Sequence, residues 1–374
     1  MSFRYLFCFL LLTLQLRAQY QTRSLNYDGQ TRSYLLHVPN SYDGQTPYAL
    51  IIALHGLGDN MNNFKNVGFH LLADTARFLV AVPQALVDNA LTGQTAWNSG
   101  AGAFGISLNP AVDDAGMLTA LMDTLQADYT IDATRMYATG FSMGGFMSNR
   151  LACERGDRLA AIASVSGTIG GTLNCAPAYK IPVAHFHGTA DQTVAYTNNT
   201  YGNDPEELFA FWADANQCAA AVAVDTLPNL QNDGKQVVRF ARRQGAYNTE
   251  VEFYQVIGGG HEWLTAANDI AYTREIWRFF RRFQRQVQTS IFPAAAPLSV
   301  QLFPNPASDY IQVNVPEKFS GKISILDITG RAVQEEILHG VSHQVGISTL
   351  PEGLYSVRLS NGEESVVTRL LVRH

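Results

Sequence analysis

The sequence predicts an α/β domain, with a mostly parallel sheet covered by helices on both faces, followed by a small all-β domain. Three observations support this division. Residues 48–283 alternate short, continuous apolar runs with longer segments of helical periodicity, which is typical of strands buried on both faces of a parallel sheet. A Pro/Ala-rich segment follows Gln288. Beyond it the helical periodicity ends, and strand patterns alone remain.

The first residues of the chain predict export. Residues 1–18 contain an early arginine, an apolar run and a small residue at the end, which is the pattern of a cleaved secretory signal peptide. The apolar run is too short to span a bilayer, so an uncleaved anchor is the less favoured alternative. Residues 22–38 then predict a β-hairpin around Asp28-Gly29, an antiparallel start to the sheet.

Buried strands and covering helices come next. The runs predicted to form strands are 49–54, 78–82, 135–139, 160–165, 181–186 and 251–257. Apolar residues at i, i+3, i+4 and i+7 between Leu118 and Leu125 predict one covering helix, with Asp113 or Asp114 capping its start. The same spacing in residues 276–283 predicts a second helix, with its arginines facing solvent.

Two connecting segments bear on function. Residues 84–112 are rich in Gly, Asn and Ala and carry Trp97-Asn98. Segments of this length in a compact domain are usually functional or disordered, and we favour a functional loop. Residues 166–180, by contrast, are too few to form a helical lid. We therefore expect an open site.

The C-terminal part is expected to be a separate domain. Residues 19–287 are predicted to form the α/β domain, 288–298 a linker and 299–374 a small antiparallel sandwich. The strands predicted there are 311–315, 322–326, 332–337, 354–359 and 365–372, separated by Gly- and Pro-containing turns.

Composition excludes several classes of function. The 374 residues carry 26 basic and 32 acidic side chains, a net charge of -6, with no basic stripe for a nucleic acid backbone. A hydrophobic content of 47% excludes a disordered chain. Cys8 is removed with the signal peptide, and Cys153, Cys175 and Cys218 lack metal-ligand spacing, so neither a metal nor a cofactor is expected. At most one disulfide can form among these three, and their positions alone do not decide which.

The motif with the clearest chemical meaning surrounds Ser142. The sequence Gly140-Phe-Ser-Met-Gly144 fits G-x-S-x-G, the sharp corner between a strand and a helix that lifts a serine hydroxyl clear of a sheet. Residues 135–139 predict the strand, and residues 145–154 predict the helix. Ser142 is therefore predicted to be a nucleophile.

A serine nucleophile needs a base and an acid that orients the base. In chains with this motif, the acid and then the histidine follow the serine along the sequence. His261 comes after the strand 251–257 and three glycines, at a carboxyl end where catalytic loops gather. Asp191 holds the equivalent place after the strand 181–186. His185 and His187 share one strand face and are better explained as core histidines, while the acids at 204, 206 and 207 complement a helix start.

The tetrahedral intermediate of such a reaction also needs hydrogen-bond donors. The backbone N–H of Met143 is one candidate, because it directly follows the nucleophile. The second donor is expected in His55-Gly56-Leu57-Gly58, the loop that follows the strand 49–54. A tight turn without a catalytic role is the alternative interpretation of that loop.

These residues give the chain a specific resemblance to secreted feruloyl esterases of carbohydrate esterase family one and their polyhydroxybutyrate depolymerase-like relatives. The matching segments are His55-Gly56, Trp97-Asn98, Val112-Asp-Asp114, Gly140-Phe-Ser-Met-Gly-Gly145, Leu151-Ala-Cys-Glu154, His187-Gly-Thr-Ala-Asp191 and Gly258-Gly-Gly-His-Glu-Trp263. The resemblance implies an α/β-hydrolase fold over residues 22–285, with a Ser142–Asp191–His261 triad. It also implies oxyanion donors at Leu57 and Met143, and substrate contacts at His55, Trp97 and Trp263. Core packing explains a tryptophan equally well.

The resemblance has two further implications. Relatives commonly have a cysteine partner for Cys218 shortly before the histidine's strand, where this chain reads Gly245-Ala-Tyr-Asn248, so Cys153 and Cys175 remain as the pair compatible with the family. Residues 299–374, with Pro304-Asn-Pro-Ala307 and Gly353-Leu-Tyr355, resemble a type A C-terminal sorting domain of the type IX secretion system of Bacteroidota. A carbohydrate-binding sandwich is the alternative.

The sequence therefore predicts a secreted serine esterase that acts on esters linked to a carbohydrate or polymer and interacts with the type IX machinery. Feruloyl esters of plant polysaccharides are the favoured substrates, with hydroxybutyrate oligomers and acetyl xylan as alternatives. A serine peptidase of the same fold is less favoured, because the 142 - 18 = 124 residues from the predicted cleavage site through Ser142 leave no room for the extra domain that such enzymes carry. A catalytically dead binding protein is disfavoured by the complete triad.

Overall fold

The computed structural model describes residues 20–103, 105–286, 301–327, 331–360 and 365–374. The predicted signal peptide and linker, residues 1–18 and 288–298, lie outside these described ranges. The chain divides into two compact units, Met1–Gln288 and Thr289–His374, here called the N-terminal and C-terminal units. No helix in the described ranges is both long and apolar enough to cross a membrane.

The N-terminal unit contains one large sheet and a very short hairpin. Its strands are β1 Gln21–Tyr27, β2 Gln30–His37, β3 Tyr48–Leu54, β4 Phe78–Pro83, β5 Gly102–Ala103, β6 Ile106–Ser107, β7 Ile131–Phe141, β8 Ala161–Val165, β9 Val183–Gly188, β10 Val222–Thr226, β11 Gln236–Arg242 and β12 Val251–Ile257. The large sheet has the order β1-β2-β4-β3-β7-β8-β9-β12-β11-β10, and β5 pairs with β6. The six central strands run parallel, and antiparallel strands close both edges.

Helices cover both faces of this sheet, as the sequence predicted. They are α1 Met61–Phe64, α2 Phe69–Ala76, α3 Asp114–Asp128, α4 Met143–Arg155, α5 Pro205–Ala215 and α6 Tyr272–Phe280. Side chains of α3, α4 and α5 pack into one buried apolar cluster, and those of α1, α2 and α6 pack into another on the opposite face. Full burial of a side chain such as Ile276 or Phe279 stabilises the fold by roughly 1.5–3 kcal/mol.

Local chemistry explains where several elements begin. The β1–β2 hairpin turns at Asp28 and Gly29, both with positive φ, as a two-residue turn requires. The Asp113 side chain caps α3 by accepting a hydrogen bond from the N–H of Gly116 at 2.8 Å, whereas its neighbour Asp114 is buried against Arg32. Strand β9 begins at Val183, two residues later than predicted, because Pro182 has no N–H to donate to the sheet.

One disulfide joins Cys153 of α4 to Cys175 in the segment after β8. This is the pair that the resemblance left compatible with the family. Cys218 is a free, buried thiol in the described part of the chain, and burial raises its pKa above the ordinary value.

The C-terminal unit is a five-stranded antiparallel sheet. Its strands are β13 Gln301–Phe303, β14 Tyr310–Leu326, β15 Ala332–Gly346, β16 Gly353–Ser360 and β17 Ser365–Val372. The predicted strands 311–315 and 322–326 are the two halves of β14, whose pairing with β15 shifts register between Asn314 and Phe319. Ile311 from the first half and Ile323 from the second lie in the same buried cluster, so the long strands fold over one core.

Candidate active site

Ser142 forms the corner between β7 and α4. Its backbone angles are φ 55° and ψ -121°, a conformation that a residue with a side chain rarely adopts. The N–H of Ser142 donates to the carbonyl of Val165 at 2.8 Å, and its own carbonyl accepts from Gly145 and Phe146. These bonds hold the strained residue at the carboxyl edge of the sheet.

The glycines of the motif are required by close backbone contacts. A Cβ atom on Gly140 would lie 2.4 Å from the carbonyl group of Gly144. A Cβ atom on Gly144 would lie 2.1 Å from the carbonyl oxygen of Leu54 in β3. Any larger residue would push α4 away from the sheet and displace the Ser142 corner.

Asp191 and His261 are joined by a hydrogen bond. The Nδ1 of His261 lies 2.8 Å from Oδ2 of Asp191, and Oδ1 of Asp191 accepts from the N–H groups of Thr193 and Val194, both at 2.9 Å. Burial by itself raises the pKa of Asp191, but the bonds from His261 and Val194 outweigh it and hold this pKa below its ordinary value. The carboxylate is therefore ionised and faces Nδ1.

Topology brings this pair to the edge where Ser142 lies. Asp191 follows β9 and His261 follows β12, and both strands run parallel to β7 in the same sheet. The ring of Phe141, directly before Ser142, packs against the His261 imidazole with centroids 4.7 Å apart. With Nδ1 turned toward Asp191, Nε2 is the nitrogen left to receive a proton.

The predicted oxyanion donors lie beside the serine. Leu57 and Met143 both line a pocket that also contains Ser142. A Cβ atom on Gly56 would lie 3.4 Å from the Cβ of Ser142, so the loop that carries Leu57 passes close to the corner. Within the described residues, the hydrogen bonds leave the N–H groups of Leu57 and Met143 unused.

The pocket next to Ser142 is largely apolar and has a volume of about 430 Å³. Its walls are Leu57, Thr92, Ala101, Gly102, Ile106, Leu108, Ser142, Met143, Phe146, Thr193, Val194 and Tyr201. Five of these come from the segment 84–112, which the sequence singled out as a functional loop without identifying the residues that face the site. The signal was present in Ile106 and Leu108, two bulky apolar residues inside a Gly-rich stretch.

Buried hydrogen bonds order this loop. The carboxylate of Asp88 accepts from the N–H groups of Leu91 and Thr92, and these bonds, that of Thr92 first, hold its pKa below the ordinary value. The Asn109 side chain donates to the carbonyls of Leu86 and Ala96. The loop thus has a defined shape, although it contains little regular structure.

Two of the predicted substrate contacts do not reach the pocket. His55 and Trp97 have 0% exposed surface in the described structure. The Nε2 of His55 accepts from the N–H of Ala85, and the indole Nε1 of Trp97 donates to the carbonyl of His55 at 2.9 Å. Both side chains pack against the buried side of the loop 84–112. The prediction that they contact the substrate is therefore corrected: their role is to pack this loop.

Trp263 has a different environment. Its indole is half-buried and packs edge-on against Phe64, Phe69 and Phe141, and its Nε1 donates to Thr273 Oγ1 at 3.1 Å. The indole does not belong to the described walls of the pocket. Because it packs on the residue next to Ser142, contact with a bound substrate stays a prediction for this side chain.

Comparison with known proteins agrees with the arrangement. Residues 42–204 match the phospholipase/carboxylesterase family, and residues 301–373 match the secretion system C-terminal sorting domain. The match to the phospholipase/carboxylesterase family thus lies wholly within the N-terminal unit. The N-terminal unit has the α/β-hydrolase fold, and the match of the C-terminal residues to a sorting domain supports secretion.

Individual relatives are feruloyl esterases. The chain is 26% identical to feruloyl esterase D of Neurospora crassa over 280 residues, 70% of this chain and 86% of the relative. It is 31% identical to a probable feruloyl esterase C of Aspergillus terreus over 169 residues, 43% of this chain. The match spans 55% of the length of that relative. A ferulic acid esterase structure from Anaeromyces mucronatus aligns with a TM-score of 0.47 and 15% identity, covering 70% of this chain and 91% of that one.

Proposed function

We propose that the protein is a secreted serine hydrolase of carboxylic esters, most similar in action to feruloyl esterases. The observation that carries this proposal is the position of Ser142, strained at the strand–helix corner, in the wall of an apolar pocket, with the Asp191–His261 pair at the same edge. The names of the relatives, feruloyl esterases C and D, support the substrate class.

In the first half of the reaction, Ser142 Oγ attacks the carbonyl carbon of the ester while its proton passes to Nε2 of His261. The ionised Asp191 keeps the proton on Nδ1 and stabilises the imidazolium that forms. The N–H groups of Leu57 and Met143 donate to the oxygen that becomes negative, and Met143 lies at the positive end of the α4 dipole. Collapse of the intermediate breaks the bond to the alcohol, which leaves with the proton from His261.

In the second half, water takes the place of the alcohol. His261 Nε2 accepts a proton from the water, whose oxygen attacks the acyl carbon on Ser142. The bond between the acyl group and Ser142 Oγ then breaks, and His261 returns the proton to Oγ. The free acid leaves, and the enzyme is restored. Every step uses residues of this chain and one water molecule.

The pocket favours an aromatic acyl group over a small one. A cavity of about 430 Å³ with apolar walls is far larger than an acetyl group needs, and the side chains of Ile106, Leu108 and Tyr201 offer contact for a planar ring. Acetyl xylan is the second candidate substrate, because a bifunctional acetylxylan esterase/xylanase of Neocallimastix patriciarum is 25% identical over 256 residues, 67% of this chain and 33% of that one. Hydroxybutyrate oligomers are a third candidate.

The remaining segments are assigned to export. Residues 1–18 would direct the chain to the periplasm, and the domain 299–374, joined by the linker 288–298, would direct it through the type IX machinery. The match of residues 301–373 to secretion sorting domains supports this route. The catalytic domain, residues 19–287, would then act outside the cell on esters of plant polysaccharides.

An ester panel with the purified protein tests the proposal. Methyl ferulate, feruloyl-arabinose, acetyl xylan, hydroxybutyrate oligomers and an aryl acetate would be compared at equal enzyme concentration, together with stoichiometric labelling by an organophosphate. We expect one label per chain on Ser142 and the highest kcat/KM with the feruloyl esters. If Ser142 is labelled but hydroxycinnamoyl esters are not preferred, the assignment as a serine hydrolase stands and the proposed substrate class is wrong. If there is neither labelling nor turnover, the assignment as a hydrolase is wrong.

A further inference from the structure

A series of buried side chains lies beneath the acid of the site. Ser164 Oγ is 2.8 Å from Nδ1 of His185, whose Nε2 is 3.1 Å from Nδ1 of His187. The Nε2 of His187 is 2.8 Å from the carbonyl oxygen of Val194 and 3.5 Å from Oδ2 of Asp191. The three polar side chains below Asp191 have at most 1% exposed surface, so these contacts are isolated from water.

The partners fix the proton on each ring. A carbonyl oxygen can only accept, so Nε2 of His187 carries a proton and donates to Val194. Nδ1 of His187 then has a lone pair and accepts from Nε2 of His185. Nδ1 of His185 accepts in turn from the hydroxyl of Ser164. The hydrogen bonds therefore all point from Ser164 toward Val194.

Both rings are neutral in this arrangement. Burial lowers the pKa of His187 and lowers that of His185 well below the ordinary value. The charged or titratable groups that act on His187 are Asp191, His261 and Asp204, besides His185. A proton added to Nδ1 of His187 would place two N–H groups against each other across the 3.1 Å contact, and a proton added to Nδ1 of His185 would force the Ser164 hydroxyl to turn from donor to acceptor.

We infer that His187 is a positioning residue for both the acid and the pocket wall. By holding the carbonyl of Val194, it fixes the turn whose N–H groups, from Thr193 and Val194, donate to Oδ1 of Asp191. Its N–H also faces Oδ2, the oxygen that accepts from His261. The Val194 side chain lines the pocket beside Ser142. One buried imidazole thus sets the direction of the carboxylate and the position of an acyl contact.

This inference rests on the proposed esterase function, and two exchanges at position 187 test it. His187→Leu removes the donor but keeps an apolar side chain, while His187→Gln can place an amide N–H near the position of Nε2. His37→Leu is the matched control, because His37 is an equally buried histidine of β2 outside the site. Rates are expressed per site titrated with the organophosphate, which removes the effect of misfolded enzyme.

We expect His187→Leu to lower kcat per titrated site on the order of 10²-fold, since a displaced carboxylate no longer orients the base. The acid limb of the kcat/KM profile should move to lower pH, because the imidazolium of His261 loses part of its stabilisation. His187→Gln should recover most of the loss, and His37→Leu should match the parent in both measurements. A purely structural role would lower the titrated fraction and leave the rate per site and the acid limb unchanged.

A spectroscopic measurement separates this inference from the proposed function. The proton on Nδ1 of His261, shared with Asp191, gives a downfield ¹H NMR signal that can be assigned by its loss in Asp191→Asn and observed without any ester. Its displacement or broadening in His187→Leu, with restoration in His187→Gln, supports the positioning role even if every ester tested is inert. An unchanged signal together with a rate per titrated site within twofold of the parent would overturn it.

Discussion

Ser142 and Ser166 occupy similar corners at the ends of neighbouring parallel strands, β7 and β8. Both have positive φ, 55° and 48°, and each donates its N–H to a carbonyl of the next strand in the sheet, that of Val165 in β8 and of Phe186 in β9 respectively. Ser142 is half-exposed in the pocket, whereas Ser166 has 2% exposed surface. Backbone strain at a strand end therefore does not by itself make a nucleophile.

The difference between the corners lies in the segment after each serine. Helix α4 starts directly after Ser142, so its free N–H groups face the side of the attack, and the motif glycines let the helix approach β3. After Ser166 the chain continues as an irregular segment toward β9, which leaves the serine covered. The glycines of the motif and the helix that follows it therefore distinguish Ser142 from Ser166. Substitutions at and around the two corners test this comparison.

Ser142→Ala has the largest expected effect. Loss of the nucleophile should reduce kcat on the order of 10⁶-fold and abolish organophosphate labelling. Ser166→Ala, the matched exchange at the neighbouring corner, should retain parent activity per titrated site. Both are measured by ester hydrolysis on samples whose circular dichroism matches the parent. Comparable losses in the two variants would mean that the Ser166 corner has a chemical role that we have not assigned.

Asp191→Asn comes next, because we propose that Asp191 orients His261 for Ser142. An amide can donate to Nδ1 and would favour the tautomer of His261 with its proton on Nε2, which cannot accept from Ser142. The expected loss in kcat is on the order of 10⁴-fold. Asp204→Asn is the control, because Asp204 caps α5 and asparagine also caps helices. If Asp191→Asn retained a tenth of the activity, another carboxylate would have to orient His261.

Ile106→Ala tests the pocket that opens beside Ser142. The lost apolar contact should lower kcat/KM for methyl ferulate about tenfold, equivalent to about 1.4 kcal/mol, and leave the acetyl ester nearly unaffected. Leu71→Ala provides a control, since Leu71 is 75% exposed and lies on α2 outside the described pocket walls. An equal loss for aromatic and acetyl esters would place Ile106 outside the acyl site.

Only part of the fold and of the candidate site could be predicted from the sequence. Continuous apolar runs located the central strands, and the glycines located Ser142, because both signals are local. Strands β10 and β11 were not predicted: all five residues of β10 are exposed at the sheet edge, so no buried run marks it. His55 and Trp97 were placed in the substrate site because a sequence does not show which side of a loop faces the core. That choice depends on distant partners, such as Asn98 with Asp114.

Acidification should lower the stability of the fold near Ser166, through His185 on the neighbouring strand β9. Burial lowers the pKa of His185 well below its ordinary value, so near pH 6 the unfolded chain binds a proton that the folded chain does not. The free energy of unfolding is then fully preserved above about pH 6.5 and is lost as the pH falls, by up to about 1.4 kcal/mol per pH unit. Burial raises the pKa of Glu250 and Glu275, which opposes this trend at acidic pH.

A variant isolates the contribution of this histidine from the opposing carboxyl groups. Urea unfolding of the parent and of His185→Gln would be compared between pH 5 and pH 8, and the parent should lose stability more steeply on acidification. The m-value must stay the same for the comparison to hold. Parallel stability curves for the two proteins would show that His185 binds a proton equally well in the folded and unfolded chains.

Removal of the C-terminal unit should have the smallest effect on either corner. Both serines, the Asp191–His261 pair and the described pocket walls lie within Met1–Gln288, which forms its own apolar clusters on both faces of its sheet. A chain ending at Gln288 should therefore keep kcat/KM for methyl ferulate within twofold of the full protein, while export from the native cell fails. Activity that depended on residues 289–374 in a well-folded sample would show that the sorting domain contributes to the site, and the comparison of the two corners would then have to include it.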